Sequence, residues 1–400
     1  MRSRFAGIIG NILEHYDNAL FGLLAPFLAP LFFDPSDPIT GLILTYGMLP
    51  LGILTRPLGS LFFGRIGDRY GRSRALFLSL CGMAIATMAI GCLPLYSQVG
   101  LWAPFSLALL RMTQSFCAAG ETTGGSLFVL ERTPESQRSF MSSIYGCSTI
   151  VGIMIASALV ALFSEEWRLL FLLGGATAII GLFMRLRITD TMSPVKTSSV
   201  WQLIKEHRRA LAAIILVAGF SNATYVFSFT LMNGYVPLVT ELTKADVMKV
   251  NTLLLLFDLA LLPCFGYLAN RLGKEKVMGL AALVMAILAV PLFYLLDGAT
   301  LALVIGIRMI IVTLGVAFGA SYSAWAMEQV PVHTRFTLLS LGYAIGAQLI
   351  GSPASAVSIW LYKETGWVFA PGLYFMLMGL AAFIAIRRVQ LRKAVFPREA

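Results

Sequence analysis

The sequence is poor in charge, because Asp, Glu, Lys and Arg make up only 12% of its 400 residues while 58% are hydrophobic. Soluble domains carry about twice that charged fraction, so the composition excludes a soluble globular protein. Histidine is scarce, with three residues, and the five cysteines stand singly without a C-x-x-C pair. We therefore expect no metal site and no cofactor, and we interpret all five cysteines as small buried packing residues.

The motifs of common enzymes are also absent. The sequence contains no H-E-x-x-H, no P-loop glycine-lysine pattern and no G-x-S-x-G. Hydrolysis of ATP or of a peptide has no visible apparatus, and we expect that the protein is not an enzyme. The first apolar stretch carries Glu14, His15 and Asp17, which is unlike a cleavable signal peptide, so we expect a retained first helix.

Long apolar runs are abundant. Hydropathy divides the chain into about twelve spans, each near the roughly 20 residues that cross a bilayer core. We therefore predict an all-α polytopic membrane protein with twelve transmembrane helices. The approximate limits of the spans are 5–33, 39–64, 75–95, 100–130, 139–163, 167–187, 209–240, 247–270, 277–296, 300–330, 337–362 and 366–387.

Positive charge is concentrated in alternate loops. Of the 30 Lys and Arg residues, 23 lie in the termini and the loops on one side, and the opposite loops carry only Arg168, Lys244, Lys249 and Lys363. Cytoplasmic loops are rich in Lys and Arg, so we expect both termini to be cytoplasmic. The net charge of +10 thus indicates orientation in a bilayer, and we expect no nucleic-acid partner.

Two sequence patterns occur twice. Residues 64–74 (G-R-I-G-D-R-Y-G-R-S-R) recur 202 residues later as 266–276 (G-Y-L-A-N-R-L-G-K-E-K). At a second offset of 197, four residues recur in register: Arg111, Glu131, Pro134 and Arg138 correspond to Arg308, Glu328, Pro331 and Arg335. Parallel six-helix repeats are typical of one transporter architecture. We predict two pseudo-symmetric six-helix halves, 1–187 and 209–400, joined by a cytoplasmic linker, 188–208.

The first repeated pattern resembles the major facilitator superfamily, whose loop between helices 2 and 3 follows G-x-x-x-D-R-x-G-R-[RK]. Within the superfamily, the chain resembles the metabolite/proton symporter family, which includes proline/betaine, α-ketoglutarate, citrate and shikimate permeases. Besides the loop, the segments that carry this resemblance are G-N-I-L-E-H-Y-D-N-A-L-F-G (10–22), R-P-L-G (56–59) and L-R-M-T-Q-S-F-C-A-A-G-E (110–121).

The resemblance implies secondary active transport by alternating access in a bacterial inner membrane. We expect proton-coupled uptake of a small organic acid, an amino acid or a betaine-like zwitterion. Export of a metabolite, a siderophore or a drug is the alternative, and a membrane enzyme or receptor is a remote one. The expected partners are a small-molecule substrate, protons and the lipid bilayer, and the chain is expected to act as a monomer.

Ionisable residues within the spans are candidates for proton coupling, because burying them in a membrane is costly. Asp17 lies about 18 Å along the first span at 1.5 Å per residue, and Arg111 of the fourth span lies at a similar depth. An ion pair that breaks when the carboxyl group binds a proton is our hypothesis, and a purely structural pair is the alternative. Glu14 and Glu121 are the further candidates.

Candidate substrate ligands lie in spans that would line a central cavity. Arg308 repeats Arg111, and a guanidinium binds a carboxylate bidentately. Ordinary packing is the alternative for the aromatic members, and whether Arg56 and Asp258 meet stays open. The predicted ligands are Arg111, Tyr145, Asn222, Tyr225, Arg308, Tyr343 and Gln348.

The repeated loops are predicted to form a cytoplasmic gate. The resemblance implies that Asp68 meets a helix start in the other half, where unpaired N–H groups and the helix dipole favour a carboxylate. We expect it to act with Arg72, Glu131 and Arg138. The full set of predicted gate residues is Gly64, Asp68, Arg69, Gly71, Arg72, Glu131, Arg138, Asn270 and Arg271.

Overall fold

The computed structural model describes residues 2–33, 52–163, 165–186 and 200–395. No strand occurs among these residues, which confirms the all-α prediction. We number the twelve main helices in chain order as α1 (Arg2–Phe32), α2 (Gly52–Tyr70), α3 (Arg72–Gly91), α4 (Trp102–Glu131), α5 (Arg138–Phe163), α6 (Trp167–Leu186), α7 (Val200–Val239), α8 (Lys244–Leu272), α9 (Lys274–Tyr294), α10 (Leu301–Gln329), α11 (Val332–Thr365) and α12 (Ala370–Val395).

Eight of these helices are long and apolar enough to cross a bilayer by length and composition alone. The other four are α1, α2, α4 and α6. Buried ionisable side chains lie in the first three: Glu14 and Asp17 in α1, Asp68 in α2, Arg111 and Glu121 in α4. In α6, Trp167–Ile179 is apolar. Three of these four helices thus hold predicted coupling or gate residues.

The largest difference from the predicted limits concerns α7. It begins at Val200, within the predicted linker, and its backbone departs from helical geometry at His207 (φ −107°, ψ 18°). Five charged or polar side chains in a row, 205–209, separate these first turns from the apolar span that follows, so hydropathy does not join the two. The linker before Val200, the start of the second span and the last five residues of the basic tail lie outside the described residues.

Each repeated loop contains one non-helical residue, a glycine. Gly71 separates α2 from α3 with φ 106°, and Gly273 separates α8 from α9 with φ 93°. A side chain is strained at such positive φ values, whereas glycine adopts them freely. Backbone geometry therefore explains why the pattern has glycine at both positions.

The described residues form two compact units. The first comprises those in Met1–Arg132, Ser148–Ser199 and Val332–Leu341. In this unit, α4 and α6 each pack against both α1 and α3, and α2 packs against α4. A cluster of buried apolar side chains, including Phe21 and Phe171, joins α1 to α6.

The second unit comprises the described residues in Thr133–Cys147, Val200–Pro331 and Gly342–Ala400. In it, α12 packs against α7 and α9, and α8 and α9 pack against α10. Both α7 and α11 contain a π-helical segment, Val226–Leu231 and Gly346–Gly351. Such segments widen the helix and are frequent at functional sites.

The cysteines are less buried than we expected. Cys117 is buried, whereas Cys92 and Cys264 are exposed on the protein surface, so the prediction of five buried cysteines was wrong. In a membrane protein, an apolar neighbourhood in the sequence is compatible with a side chain that faces lipid as well as with one that faces a neighbouring helix.

Candidate functional site

Asp17 is buried in the first unit, with 3% of its surface exposed. Its Oδ2 accepts a hydrogen bond of 3.0 Å from Thr87 of α3. Its Oδ1 has no hydrogen-bond partner among the described residues and lies against Gly174 of α6, where a Cβ would approach it to 2.6 Å. Glycine at this position therefore leaves room for the carboxyl group, and Oδ1 is open to a proton.

A chain of hydrogen bonds joins Asp17 to Arg111. Arg111 Nη1 donates to Gln114 Oε1 at 2.6 Å, and Gln114 Nε2 donates to Thr87 Oγ1 at 2.7 Å. Thr87 in turn donates to Asp17. Every donor points from the guanidinium towards the carboxylate, so the bonds polarise one another in the direction that stabilises a negative charge on Asp17. Two neutral side chains thus stand between the predicted partners in place of a direct ion pair.

Arg111 keeps binding capacity in this arrangement. Its guanidinium lies 4.1 Å from the centroid of the Phe21 ring, and its Nε has no hydrogen-bond partner among the described residues. The side chain is 4% exposed. A buried guanidinium with a free N–H group and no adjacent carboxylate is suited to an anionic ligand.

Glu14 contacts a different helix from Asp17. Its Oε1 accepts a hydrogen bond of 2.7 Å from Thr122 of α4 and one of 3.3 Å from Asn18. Its Oε2 lies 3.7 Å from Nδ1 of His15. Two carboxyl groups three residues apart on α1 are therefore held by α4 and by α3, respectively.

Glu121 occupies a third place in the first unit. It is 1% exposed, and its Oε1 accepts a hydrogen bond of 2.7 Å from Ser79 of α3. Close contact between α3 and α4 at this level depends on Gly120, where a Cβ would lie 2.8 Å from that of Ser79. The three predicted carboxyl groups thus accept hydrogen bonds from different hydroxyl groups, those of Thr87, Thr122 and Ser79.

Arg308 lies in α10 of the second unit and is fully buried. Its Nη1 donates to the carbonyl of Val247 at 3.3 Å, and its Nη2 donates to the carbonyl of Ser228 at 2.9 Å. The side-chain oxygens of Asn233 and Asn251 are further acceptors. Ser228 lies in the π-helical segment of α7, which offers its carbonyl to the guanidinium. All of these acceptors are neutral.

Two predicted ligands lie on α7 in the second unit. Asn222 packs against Gly351 of α11, and its Oδ1 has no hydrogen-bond partner among the described residues. The rings of Tyr225 and Phe229 have centroids 4.9 Å apart. The polar face of α7 thus carries an amide oxygen and a pair of aromatic rings.

Three further predicted ligands also belong to the second unit: Tyr145, Tyr343 and Gln348. Tyr145 is buried, and the ring of Tyr343 lies 6.0 Å from that of Tyr322. Gln348 is half-buried in the π-helical segment of α11. Arg56 belongs to the first unit and Asp258 to the second.

Asp68 meets the first α-helical turn of α11, which begins at Arg335 after the 3₁₀ turn Val332–Thr334. Its carboxylate accepts hydrogen bonds from the backbone N–H groups of Phe336 at 3.1 Å and Thr337 at 2.8 Å. A Cβ at Gly64, one turn earlier on α2, would lie 2.7 Å from the Cα of Thr337. The contact between Asp68 and a helix start is confirmed, and its role as a gate stays a prediction.

Arg72 is the centre of the surrounding ion pairs. It is 1% exposed and pairs with Asp68 and, at 3.3 Å, with Glu131. It also donates to the carbonyl of Val332 at 3.1 Å. Arg335 lies 3.5 Å from the same oxygen of Glu131. We call these four side chains the Asp68 cluster: Asp68, Arg72, Glu131 and Arg335.

The second copy of the pattern makes a similar contact. Asn270 Oδ1 accepts hydrogen bonds from the backbone N–H groups of Ser139 at 3.0 Å and Phe140 at 3.4 Å, at the start of α5. Lys274 Nζ lies 2.7 Å from Glu328. We call these three side chains the Asn270 cluster: Asn270, Lys274 and Glu328.

Three predicted gate residues lie outside these contacts. Arg69 and Arg271 are exposed and lie over the rings of their neighbours Tyr70 and Tyr267. Arg138 belongs to the second unit. In the Asp68 cluster, the second arginine near Glu131 is Arg335, the counterpart of Arg138 in the other repeat. Sequence reasoning did not include Arg335 in the predicted set.

Some residues of the site were missed by sequence reasoning. Gln114 carries a usable signal, since it stands three residues after Arg111 and so lies on the same face of α4. Thr87 and Ser79 carry none, because single hydroxyl groups are common in apolar helices and bond to their own backbone. Their role depends on which helix packs against α3.

The sequence profile of the Major Facilitator Superfamily matches residues 8–335 of this chain. The chain belongs to that superfamily. Its members are transporters, so this protein is a multi-pass membrane transporter with the twelve-helix fold of the superfamily and is not an enzyme.

Two relatives of this chain are named as transporters of betaine and proline. This chain is 28% identical over 407 residues to the glycine betaine/proline/ectoine/pipecolic acid transporter OusA of Dickeya dadantii. The match covers 95% of this chain and 81% of the relative. This chain is also 29% identical over 415 residues to a putative proline/betaine transporter of Staphylococcus aureus. That match covers 96% of this chain and 87% of the relative.

Solved structures of the superfamily have the same fold. The proton:xylose symporter XylE matches with a TM-score of 0.71 at 13% identity, covering 99% of this chain and 95% of that one. A bacterial homologue of the iron transporter ferroportin matches with a TM-score of 0.79 at 14% identity, covering 98% and 100%. The Escherichia coli fucose:proton symporter FucP matches with a TM-score of 0.70 at 14% identity, covering 96% and 99%.

Proposed function

We propose that this transporter takes up a small zwitterion, with a carboxylate and a cationic nitrogen, together with a proton across a bacterial inner membrane. Glycine betaine, proline, ectoine and pipecolic acid, which name one relative, all combine these two groups. Both termini face the cytoplasm in this proposal, because the positive charges cluster in the loops on that side.

The hydrogen-bond chain from Arg111 to Asp17 carries the proposal. When Asp17 is ionised, the donors of Arg111, Gln114 and Thr87 point towards it. When Asp17 binds a proton, the negative charge that orients this chain is lost. The guanidinium of Arg111 then binds the carboxylate of the substrate.

Coupling follows if the protonation of Asp17 and the occupation of Arg111 favour the same conformation. A ligand shifts a conformational equilibrium only by as much as its affinities for the two states differ. In this proposal the proton and the substrate together favour the state in which the chain of hydrogen bonds is broken. The Asp68 and Asn270 clusters then break and re-form as the parts of a cytoplasmic gate.

The test is uptake of radiolabelled glycine betaine into proteoliposomes under an imposed pH gradient. We expect the wild-type protein to accumulate the substrate against its concentration gradient. Asp17→Asn should reduce accumulation to the equilibrium level and should preserve exchange of labelled for unlabelled substrate, since exchange needs no net proton movement. Asp297→Asn, which neutralises an exposed carboxylate in a turn, is the matched control and should behave as wild type.

Full uphill uptake by Asp17→Asn would contradict the role of Asp17 and would make Glu14 or Glu121 the next candidate. Arg111→Ala should abolish both accumulation and exchange. Release of preloaded compound, with no uptake in either orientation of the gradient, would instead support an exporter.

A further inference from the structure

Gln114 links the guanidinium of Arg111 to the hydroxyl of Thr87 with the two ends of its amide. The acceptor end, Oε1, receives the hydrogen bond from Arg111 Nη1 at 2.6 Å, and the donor end, Nε2, donates to Thr87 Oγ1 at 2.7 Å. Gln114 is 2% exposed and Thr87 is fully buried. An unpaired polar group is costly in such a place, so these partners determine which way the amide points.

The direction of the amide depends on the charge of Asp17. The hydroxyl of Thr87 has a single hydrogen, and it donates to Asp17 Oδ2 at 3.0 Å. An ionised carboxylate only accepts hydrogen bonds, so Thr87 must donate to it and accept from Gln114. The Nε2 end of the amide then faces Thr87, and the Oε1 end faces Arg111. Ionised Asp17 therefore keeps Arg111 Nη1 bound to the amide.

Protonated Asp17 permits the opposite direction. A carboxylic acid has one O–H donor, and a half-turn about its two-fold terminal torsion brings that donor to Thr87 Oγ1. The hydrogen of Thr87 then donates to Gln114 once the amide has turned over and Oε1 faces Thr87. The Nε2 end now faces the guanidinium of Arg111. Two donors that face each other are satisfied only when an anion accepts from both.

We propose that Gln114 couples proton binding to substrate binding by turning over its side-chain amide. The group that it recognises is the carboxylate of the zwitterion, which accepts hydrogen bonds from Arg111 and from Gln114 Nε2 together. This inference rests on the proposed function, because it identifies where the chain of hydrogen bonds breaks. The break lies between Arg111 and Gln114.

The two ligands satisfy the turned amide only together. The proton alone leaves the donors of Arg111 and Gln114 facing each other. The carboxylate alone leaves the single hydrogen of Thr87 with two acceptors, Asp17 and Gln114. Each ligand therefore removes the cost that the other would otherwise bear, and this is the condition for positive coupling between two sites.

The other groups around this chain do not replace it. The helices α3 and α6 pack against Asp17 with Thr87 and Gly174, neither of which titrates. Glu14 accepts its hydrogen bond from Thr122, outside the chain. The titratable or charged side chains near Asp17 or Arg111 are, besides these two, Glu14, His15, Tyr16 and Arg56.

The test measures betaine exchange in proteoliposomes with the same pH on both sides, at a series of pH values. In the wild-type protein, the KM for betaine should fall at least about tenfold as the pH is lowered over the range in which betaine is accumulated. Gln114→Met keeps the length of the side chain without its amide and should hold the KM within about threefold over that range. It should retain exchange and lose accumulation under a pH gradient. Gln202→Met removes an exposed amide and should behave as wild type.

A second pair of variants covers the case in which Gln114→Met does not fold. Thr87→Ser keeps the hydroxyl and should keep the pH dependence of the KM. Thr87→Val keeps the shape without the hydroxyl and should lose that dependence. The matched control is Thr113→Val, which removes an exposed hydroxyl bonded to the carbonyl of Leu109 in its own helix.

Three results would overturn the inference. One is folded Gln114→Met or Thr87→Val protein with the wild-type pH dependence of the KM and full accumulation. Another is folded Gln114→Met protein that has lost exchange as well as accumulation. The third is Thr87→Ser with the same loss as Thr87→Val, since that is the behaviour of a packing residue. In all three the wild-type protein still accumulates betaine, whereas a wild-type protein that transports no zwitterion contradicts the proposed function itself.

Discussion

The Asp68 and Asn270 clusters share one kind of contact and differ in charge. In each, one side chain accepts hydrogen bonds from two successive backbone N–H groups at a helix start. Asp68 uses one carboxylate oxygen for each N–H group, and Asn270 uses its single oxygen for both. In the first, the acceptor is a carboxylate that also pairs with Arg72, whose side chain is 1% exposed. In the second, the acceptor is an amide, and the neighbouring Lys274 and Glu328 side chains are each 19% exposed.

This difference predicts contacts of unequal strength. Hydrogen bonds to a charged acceptor are about twice as strong as those between neutral groups, and a helix start favours a negative charge. A buried ion pair such as Asp68 and Arg72 is also sensitive to substitution, because removing one member leaves the other charge without that partner. The Asp68 cluster should therefore be stronger but more sensitive to substitution than the Asn270 cluster.

The steric part of the pattern is the same in both copies. A Cβ at Gly64 would lie 2.7 Å from the Cα of Thr337, and a Cβ at Gly266 would lie 2.6 Å from the Cβ of Ser143. Both distances are shorter than packed side chains allow. Close helix approach thus explains the first glycine of each copy, and only the polar groups distinguish the two clusters.

Removing the basic residue from each cluster should produce the largest contrast. Arg72→Ala leaves Asp68 without its ion-pair partner, and we expect it to weaken the contact with α11 by about 3–5 kcal/mol. Lys274→Ala breaks a partly exposed pair and should cost less than about 1 kcal/mol. Spin labels at the exposed residues Tyr70 and His333 report the first contact, and their distance distribution should broaden and lengthen in Arg72→Ala.

The matching label positions for the second contact are Leu272 and Ser136, which are exposed and occupy the equivalent places in the other repeat. Their distances should change little in Lys274→Ala. Arg69→Ala removes an exposed cation beside the first cluster and serves as the control. Equal widening in Arg72→Ala and Lys274→Ala would show that burial of the pair does not determine its strength.

Exchanging the two acceptors should produce a smaller effect. Asp68→Asn leaves one side-chain oxygen for two N–H groups and removes one of the two carboxylates that pair with Arg72, which keeps Glu131. We therefore expect a loss of about 1–3 kcal/mol. Asn270→Asp places a carboxylate at the start of α5 and four residues before Lys274, and we expect a gain of up to about 1 kcal/mol. The same two label pairs measure both changes.

The double variant sharpens this test, because its two label pairs should exchange their behaviour relative to wild type. The first distance should become the broader one and the second the narrower one. A first contact that keeps its wild-type distribution in Asp68→Asn would mean that the charge of the carboxylate contributes nothing, and the gate hypothesis would lose its physical basis.

The fold could be predicted from the sequence because it depends on properties that a single chain displays. Apolar runs of bilayer length, the alternation of Lys and Arg between loops and the two repeat offsets each indicate the twelve-helix architecture. The end of a helix is a different matter. The helix α7 extends back to Val200 across the charged and polar residues 205–209, and a hydropathy profile does not detect helical turns that are interrupted in this way.

The site could be predicted only in its charged members. Asp17, Arg111 and Arg308 are conspicuous because ionisable residues are rare in apolar spans. Thr87 connects Asp17 to Gln114, yet its sequence neighbourhood is that of any residue in α3. A hydrogen bond between side chains from different helices depends on their packing, and one chain read in isolation does not display it.

A third helix start, that of α8, carries an exposed acidic residue, Asp246. We expect this carboxylate to stabilise its helix start less than the acceptors of the two clusters do. Thr243 Oγ1 accepts a hydrogen bond from the backbone N–H group of Asp246 at 3.2 Å and donates one to the carboxylate of Asp246 at 2.6 Å. The Asp246 carboxylate, 39% exposed, lies 3.9 Å from Lys249 Nζ.

The hydrogen bond from Thr243, with a smaller contribution from Lys249, holds the pKa of Asp246 below its usual value. A carboxyl group with a lowered pKa stabilises the folded helix start above its unfolded pKa of about 3.9, and this contribution is lost as the pH falls through the folded value. Protection of the Val247 amide, which donates to the carbonyl of Thr243, should therefore decrease between pH 6 and pH 3. We expect less than about a tenfold change, because water screens the exposed charge. Hydrogen exchange corrected for intrinsic rates measures it, and Asp246→Asn should show no such pH dependence. An equal dependence in that variant would assign the effect to another group, and a change far above tenfold would show that exposure does not limit what a carboxylate contributes at a helix start.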